Sequence, residues 1–320
     1  MIGLVFPGQG SQSLGMGKFL VDNFTIAKKR VSESSEALGI DMAHLLFESS
    51  DADLARTENT QPALLTVSVA TWDVIKSVYP ISFNCSAGHS IGEYAAMVIN
   101  GVMDFSDAVK AVRARGIAMQ EAVPAGKGGM LAVLGLSDDQ VRELCQWVNR
   151  EFPDGLISPA NFNSPGQVVI SGHLSSIEWL KTHFKPEVLT GEAKRVKFIP
   201  LSVSAPFHCS LMAPAEKKMS EVLSQIEFKN SDKPIIQNVH ALPETQASIL
   251  RENLIKQVCA PVLWTQCALK MKEFGATVLI ETGHGKVLSG LMKKIDPELS
   301  VININSLEDV KTLGAHIGST

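Results

Sequence analysis

The chain has 320 residues, of which 45% are hydrophobic and 19% charged, and its formal net charge is −4. This composition is typical of a globular protein that buries one large core or two smaller ones. The mild acidity argues against a nucleic-acid partner. The sequence contains no run of about 18 apolar residues, which would predict a membrane span.

The first residues, MIGLVFPGQGSQ, have neither a charged start nor the long apolar region of a secretory signal. The five cysteines are scattered and form no C-x-x-C pair; they are Cys85, Cys145, Cys209, Cys259 and Cys267. This pattern predicts reduced thiols, no bound metal and a cytoplasmic location.

The first third of the chain alternates between strand and helix patterns. The predicted elements are a strand at 2–6, helices at 16–38 and 61–77, a strand at 81–87, and helices at 91–100 and 106–122, with Ser106 as the N-cap of the last. Such alternation indicates an α/β fold with a mostly parallel sheet covered on both faces.

The pattern changes after the glycine-rich stretch at 124–129. The next predicted elements are a strand at 130–136, a helix at 137–150, strands at 156–162 and 167–172, a helix at 173–184 and a strand at 193–201. The order β-α-β-β-α-β predicts a ferredoxin-like small domain at 125–195. It is inserted into a large α/β domain of residues 1–124 and 196–320, which strands at 276–283 and 300–307 complete.

The sequence Gly88-His89-Ser90-Ile91-Gly92 has the pattern G-x-S-x-G between a predicted strand and a predicted helix. This is the context of a nucleophile elbow, in which a serine hydroxyl stands exposed on a sharp turn. The unpaired amides of the following helix can stabilise an oxyanion, and Glu93 in its first turn suits the helix dipole.

A serine nucleophile needs a base, and three of the eight histidines are candidates. His208 lies in a loop between two prolines where the chain returns to the large domain, and His240 and His284 are its rivals. The acid that orients the histidine in a triad could come from the aspartates between Ser90 and His208, which are Asp104, Asp107, Asp138, Asp139 and Asp154. None lies in an obvious catalytic loop, so a backbone carbonyl is the alternative.

Several motifs resemble those of the malonyl-CoA:acyl-carrier-protein transacylase family. They run in family order over nearly the whole chain: FPGQGSQ at 6–12, TQPAL at 60–64, GHSIGEYAA at 88–96, RGIAMQEAVP at 115–124, NFNSPGQVVISG at 161–172, VSAPFHCSLM at 203–212 and GHGKVLSGL at 283–291. The resemblance implies an α/β-hydrolase-like large domain that carries a ferredoxin-like small domain.

The resemblance also implies the chemistry of the site. Ser90 would attack malonyl-CoA with His208 as the base, and the malonyl ester would then be transferred to the thiol of acyl carrier protein. The backbone amides of Gln9 and Ile91 would form the oxyanion hole, and the backbone carbonyl of Gln257 would orient the histidine. No cofactor is implied, because the CoA thioester is a substrate.

Arg115 would pair with the free carboxylate of malonate. It shares the apolar face of the predicted helix with Met119, and an arginine there needs an anionic partner, either a substrate or a glutamate of the chain. By the same resemblance Phe207 and Met119 line the acyl pocket, and Phe207 disfavours an α-methyl branch. We expect a monomer. The alternatives are a polyketide malonyl acyltransferase and an acyl hydrolase.

Overall fold

The computed structural model describes residues 1–193, 195–203 and 205–317. Lys194 belongs to the predicted strand at 193–201 and Ser204 to the motif at 203–212. Both of these residues, together with residues 318–320 at the end of the predicted large domain, lie outside the described residues.

The strands are β1 (Ile2–Phe6), β2 (Cys85–Gly88), β3 (Gly128–Leu134), β4 (Ile157–Ser164), β5 (Gln167–His173), β6 (Lys197–Pro200), β7 (Ile235–Ile236), β8 (Pro243–Glu244), β9 (Val278–Glu281) and β10 (Ser300–Asn303). The helices before the small sheet are α1 (Lys18–Asn23), α2 (Thr25–Leu38), α3 (Met42–Phe47), α4 (Asp51–Ala55), α5 (Thr57–Val78), α6 (Gly92–Ile99) and α7 (Phe105–Glu121). The later helices are α8 (Asp138–Glu151), α9 (Leu174–His183), α10 (Ala213–Ser224), α11 (Ala247–Lys256), α12 (Trp264–Glu273), α13 (Val287–Ile295) and α14 (Leu307–Ile317).

The larger sheet has the strand order β10-β9-β1-β2-β7-β8. All neighbouring pairs are parallel except β7 with β8. Strand β1 shows that both faces are buried: Leu4 and Phe6 enter one hydrophobic core, and Val5 enters a second core on the opposite face. The mixed α/β fold with a mostly parallel sheet therefore agrees with the prediction.

The smaller sheet is antiparallel, with the strand order β4-β5-β3-β6. Helices α8 and α9 pack against it and enclose a separate hydrophobic core that includes Leu131, Val148 and Ile170. Strand β4 is also tied to the larger part of the chain, because the backbone of Val262 pairs with Ala160 and Phe162.

The register of β1 against β2 places the predicted elbow. Phe6 lies opposite Gly88, so the loop that follows β1 and the turn that follows β2 leave the sheet side by side. The crevice at the carboxyl ends of parallel strands is where α/β folds bind ligands. Gln9 and Ser90 are therefore brought to the same edge of the sheet.

Several local predictions differ from the structure. The strand predicted at 300–307 ends at Asn303, and the strand predicted at 193–201 is formed only by Lys197–Pro200. The predicted helix at 16–38 is two helices, because Phe24 adopts an extended conformation between them. Strand β2 begins at Cys85 rather than at 81, since Pro80 and the polar residues that follow keep the preceding segment out of the sheet. Asp104, not Ser106, precedes α7, and Ser106 lies inside its first turn.

Within the described part of the chain, no helix combines the length and the apolar character needed to span a membrane.

The glycine that follows the elbow should be intolerant of any side chain. A Cβ on Gly92 would lie 2.2 Å from the backbone oxygen of Phe6, whereas a Cβ on Gly290 in α13 has no neighbour within 4 Å. We expect Gly92→Ala to lower the free energy of unfolding by about 3 kcal/mol through overpacking. Gly290→Ala should raise it by about 1 kcal/mol, the helix propensity difference. Urea unfolding of both variants tests this, and a Gly92→Ala protein as stable as the wild type would contradict it.

Candidate active site

Ser90 occupies a strained turn between β2 and α6. Its φ is +52°, a left-handed conformation that is unusual for a residue other than glycine. The turn is tight, because a Cβ on Gly88 would lie 1.9 Å from the backbone carbon of Gly92. Side chains satisfy the Ser90 backbone: its N–H donates to Asn238 Oδ1 at 2.8 Å, and its carbonyl accepts from Gln257 Nε2 at 3.0 Å. The geometry is that of a nucleophile elbow.

His208 reaches the serine from the loop before α10. Its Nε2 lies 2.7 Å from Ser90 Oγ, and its Nδ1 lies 2.9 Å from the carbonyl oxygen of Gln257 and 3.2 Å from that of Ala260. A carbonyl can only accept, so Nδ1 carries the proton and Nε2 is free to accept from the serine hydroxyl. His208 itself has a φ of +59°, so both reacting side chains stand on left-handed backbone.

The environment keeps His208 neutral. Burial, followed by the positive charge of Arg115, lowers the pKa of His208 to about 3, and the carbonyls of Gln257 and Ala260 only partly oppose this shift. The imidazole therefore stays in the form that can accept a proton at neutral pH.

Arg115 of α7 is 1% exposed and points into the site. Its Nη1 donates to Gln61 Oε1 at 3.0 Å, and its Nη2 donates to Ser90 Oγ at 3.1 Å and Gln257 Oε1 at 3.0 Å. No carboxylate forms an ion pair with it among residues 1–193, 195–203 and 205–317, and its Nε has no partner there. The alternative of a structural ion pair with a glutamate is thus absent from the described chain.

A cavity of about 330 Å³ opens above Ser90. Helices and loops around the larger sheet supply Gln61, Met119 and Phe207 to its wall, and strands of the smaller sheet supply Met130 and Asn161. Its lining is mostly apolar, with Arg115 as the charged group. Such a cavity suits a small acyl group that carries one anionic end.

The two predicted oxyanion donors border this cavity. Gln9 lies in the loop after β1, and Ile91 directly precedes α6, with both residues in the cavity wall. Neither backbone N–H donates to another backbone or side-chain group of the described residues. Unpaired amides at a helix start are suitable donors to an oxyanion.

The rival residues lie elsewhere. His240 contacts Asn253, and His284 contacts Ser13, so neither reaches Ser90. His208 Nδ1 is bonded to backbone carbonyls, not to one of the aspartates considered from the sequence, which are Asp104, Asp107, Asp138, Asp139 and Asp154.

Sequence reasoning missed three buried polar residues that hold the site, namely Gln61, Asn238 and the side chain of Gln257. It also assigned Glu93 to the helix dipole, whereas the structure buries this carboxylate completely against Asn238 and Gln257. The signal that was available is the unusual placement of a glutamate on an otherwise apolar helix, GEYAAMVI.

Known proteins resemble the chain over almost its full length. Residues 4–310 match the acyl transferase domain family. The chain is 41% identical to the malonyl CoA-acyl carrier protein transacylase of Staphylococcus aureus over 96% of each chain. It is 42% identical to that of Bacillus subtilis, over 97% of this chain and 95% of the relative.

Solved structures agree. The acyl carrier protein S-malonyltransferase of Vibrio cholerae superposes with a TM-score of 0.91 at 40% identity, covering 98% of this chain and 99% of that one. A chain from a complex of a type II PKS acyl-carrier protein with its malonyl-transacylase gives a TM-score of 0.90 at 39% identity, covering 97% and 98%. The fold is that of an acyltransferase. The chain belongs to the malonyl-CoA:acyl-carrier-protein transacylases of the acyl transferase domain family.

The low pKa of His208 should be visible in solution. We expect the His208 imidazole to remain neutral, with the proton on Nδ1, from pH 8 down to about pH 5. Replacing the guanidinium in Arg115→Gln removes the largest cause, after burial, that lowers this pKa, so protonation should begin at a higher pH. NMR of ¹⁵N-labelled histidine measures both, with the signal assigned by its loss in His208→Gln. A wild-type midpoint near the ordinary value of about 6.5 would contradict the expectation.

Proposed function

We propose that the protein transfers the malonyl group of malonyl-CoA to the phosphopantetheine thiol of acyl carrier protein, as a step of fatty acid synthesis. The relatives support this activity, since they are malonyl CoA-acyl carrier protein transacylases at 41–42% identity. The observation that carries the proposal is Arg115, a buried guanidinium 3.1 Å from the Ser90 hydroxyl with no carboxylate partner in the described chain.

We further infer that the larger domain, residues 1–124 and 196–320, is α/β-hydrolase-like and that residues 125–195 form a ferredoxin-like domain. The element order β3-α8-β4-β5-α9-β6 and the antiparallel strand order support the second assignment. The elbow at the carboxyl end of a central parallel strand supports the first.

In the first half-reaction, Ser90 Oγ attacks the thioester carbonyl while its proton moves to His208 Nε2. The negative charge on the carbonyl oxygen is stabilised by the backbone amides of Gln9 and Ile91. The tetrahedral intermediate then collapses, the C–S bond breaks, and His208 returns the proton to the departing CoA thiolate. The product is a malonyl ester of Ser90.

In the second half-reaction, the phosphopantetheine thiol takes the place of CoA. His208 Nε2 accepts the thiol proton as the sulfur attacks the ester carbonyl, and the same two amides stabilise the oxyanion. The C–O bond to Ser90 breaks, and His208 returns the proton to Oγ. The carbonyl of Gln257 holds the imidazole in one orientation and tautomer through both steps.

Arg115 selects the acyl group. A guanidinium forms two parallel hydrogen bonds with a carboxylate, and a buried one is strongly stabilised by a bound anion. An acetyl group offers no such partner. We propose that Met119 and Phe207, both almost fully buried in the cavity wall, enclose the carbon chain between the ester and the carboxylate.

The remaining properties follow as proposals. The enzyme works without a cofactor, because proton transfer and ester exchange need only the side chains described. It functions as a monomer, since every residue of the proposed mechanism comes from one chain. The five unpaired cysteines support a cytoplasmic location.

Intact-protein mass spectrometry tests the transfer. After mixing with malonyl-CoA, the wild type should gain one malonyl group on Ser90 and lose it to added holo-acyl carrier protein. Arg115→Ala should load malonyl at least about 100-fold more slowly, because the carboxylate loses its buried charge partner. Its preference should shift toward acetyl-CoA.

Ser90→Ala is the control that must show no adduct. An adduct that decays to water faster than it moves to the carrier protein would instead indicate an acyl hydrolase. Faster transfer to a polyketide carrier protein than to one of fatty acid synthesis would indicate the polyketide alternative. No adduct with malonyl-CoA would refute the proposed substrate.

The size of residue 207 should set tolerance for a branched acyl group. Phe207→Val enlarges the cavity beside the α-carbon, so the ratio of kcat/KM for methylmalonyl-CoA to that for malonyl-CoA should rise roughly 10-fold, the usual value of one methyl group in a pocket. Steady-state transfer assays with both thioesters measure the ratio. The control is Phe228→Val, a change at a buried phenylalanine outside the cavity, which should leave this ratio unchanged. An equal rise of the ratio in both variants would show that Phe207 does not contact the α-carbon.

A further inference from the structure

Glu93 is a buried ionisable residue that the proposed mechanism does not use. It lies in the first turn of α6, three residues after Ser90, and its side chain has no exposed surface. One carboxylate oxygen accepts from the backbone N–H of Asn238, and the other accepts from the side-chain amide of Gln257. Burying a carboxylate costs free energy, and a role in the site would account for a glutamate at this position.

The two partners of Glu93 are the two residues that hold the Ser90 backbone. Asn238 Oδ1 accepts from the Ser90 N–H, and Gln257 Nε2 donates to the Ser90 carbonyl. The strained turn at Ser90 therefore has both of its backbone groups fixed by side chains that meet at one carboxylate.

Gln257 also connects Glu93 to the base and to the specificity residue. Its backbone carbonyl accepts from His208, and its side-chain Oε1 accepts from Arg115 Nη2 at 3.0 Å. An amide can be rotated by half a turn, which exchanges its donor and acceptor ends. Because Glu93 can only accept when ionised, it holds the NH₂ of Gln257 on its own side and leaves the oxygen toward Arg115.

We propose that Glu93 is a positioning residue for the transfer reaction, whose carboxylate fixes the Gln257 amide and Asn238 and thereby orients Ser90 and the malonate-binding face of Arg115. This inference rests on the proposed function. Burial raises the pKa of Glu93 to about 8 although the two hydrogen bonds and Arg115 oppose this shift, so the ionised form that holds the Gln257 amide becomes more populated as the pH rises toward 8 and above. The carboxylate also offsets the buried charge of Arg115.

Glu93→Gln tests the role at almost constant volume. The new NH₂ group must face either the Asn238 N–H or the Gln257 NH₂, so one donor is opposed by another donor. We expect kcat/KM for malonyl-CoA to fall at least about 10-fold, from mispairing of a buried polar group. The malonyl-to-acetyl ratio of kcat/KM should fall with it, because the rotated Gln257 amide would turn its NH₂ toward Arg115.

The matched control is Glu281→Gln. Glu281 is equally buried and accepts from the Leu288 and Ser289 backbone amides, but it contacts no residue of the site. After correction for the folded fraction by circular dichroism, its malonyl-to-acetyl ratio should equal that of the wild type. An equal loss of the ratio in both variants would overturn the proposal in favour of a general effect of destabilisation.

A double-mutant cycle shows whether Glu93 acts through Gln257. Gln257→Met keeps the backbone carbonyl for His208 but removes the amide, so it should itself lower the malonyl-to-acetyl ratio. In that background Glu93→Gln should change the ratio less than about twofold. Full, additive losses in both backgrounds would overturn the proposed route through the amide.

Two further outcomes keep the test decisive. If Glu93→Gln does not fold, Glu93→Asp, which withdraws the carboxylate by one methylene group, must lower the ratio in the wild-type background and not in Gln257→Met. If the wild-type enzyme loads malonyl on Ser90 and the Glu93 variants have the same malonyl-to-acetyl ratio of kcat/KM as the wild type, only the role of Glu93 is refuted. If the wild type does not load malonyl at all, the proposed function itself is refuted.

Discussion

The left-handed turn at Ser90 is the constraint on which the rest of the site depends. A non-glycine residue at a φ of +52° is strained, and the strain lifts the hydroxyl out of the sheet toward the cavity. The turn requires glycine at positions 88 and 92, because a Cβ atom at either position would overlap with nearby backbone atoms. The Ser90 N–H donates to the side chain of Asn238, and the Ser90 carbonyl accepts from the side chain of Gln257 as well as from the Glu93 backbone N–H. Gln257 also supplies the backbone carbonyl that contacts His208.

In the proposed mechanism, the charge of Arg115 links selection of the acyl group to the strength of the base. Arg115 is not paired with any carboxylate of the described chain, and its charge is, after burial, the largest cause of the low pKa of His208. A malonate carboxylate bound to Arg115 would offset that charge, so the imidazole would become a better proton acceptor when the correct substrate is present. A neutral acyl group brings no second anion to Arg115. Arg115 would thus favour the malonyl group over a neutral acyl group both in binding and in the proton transfer to His208.

The sequence predicted those parts of the site that depend on local order. The elbow follows from two glycines between a strand and a helix, and Arg115 stands out as a charge on an apolar helix face. Asn238 and Gln61 could not be found this way, because their roles arise from contacts across 148 and 54 residues. Glu93 was assigned to a helix dipole since its two partners lie far along the chain. Strands β7 and β8 have two residues each, too few to show a periodicity.

The smaller sheet and the helices and loops around the larger sheet build the cavity jointly, and the segment from Gln257 to Val262 contacts both parts of the fold. Its first part supplies the carbonyls of Gln257 and Ala260 that hold His208, and its last residue pairs with the edge of β4 in the smaller sheet. The base is therefore positioned by a segment that both sheets contact. Met130 and Asn161 of the smaller sheet also line the cavity above Ser90. Under the proposed function, this wall would limit the access of water to a Ser90 ester, which is the condition for transfer to a thiol to compete with hydrolysis.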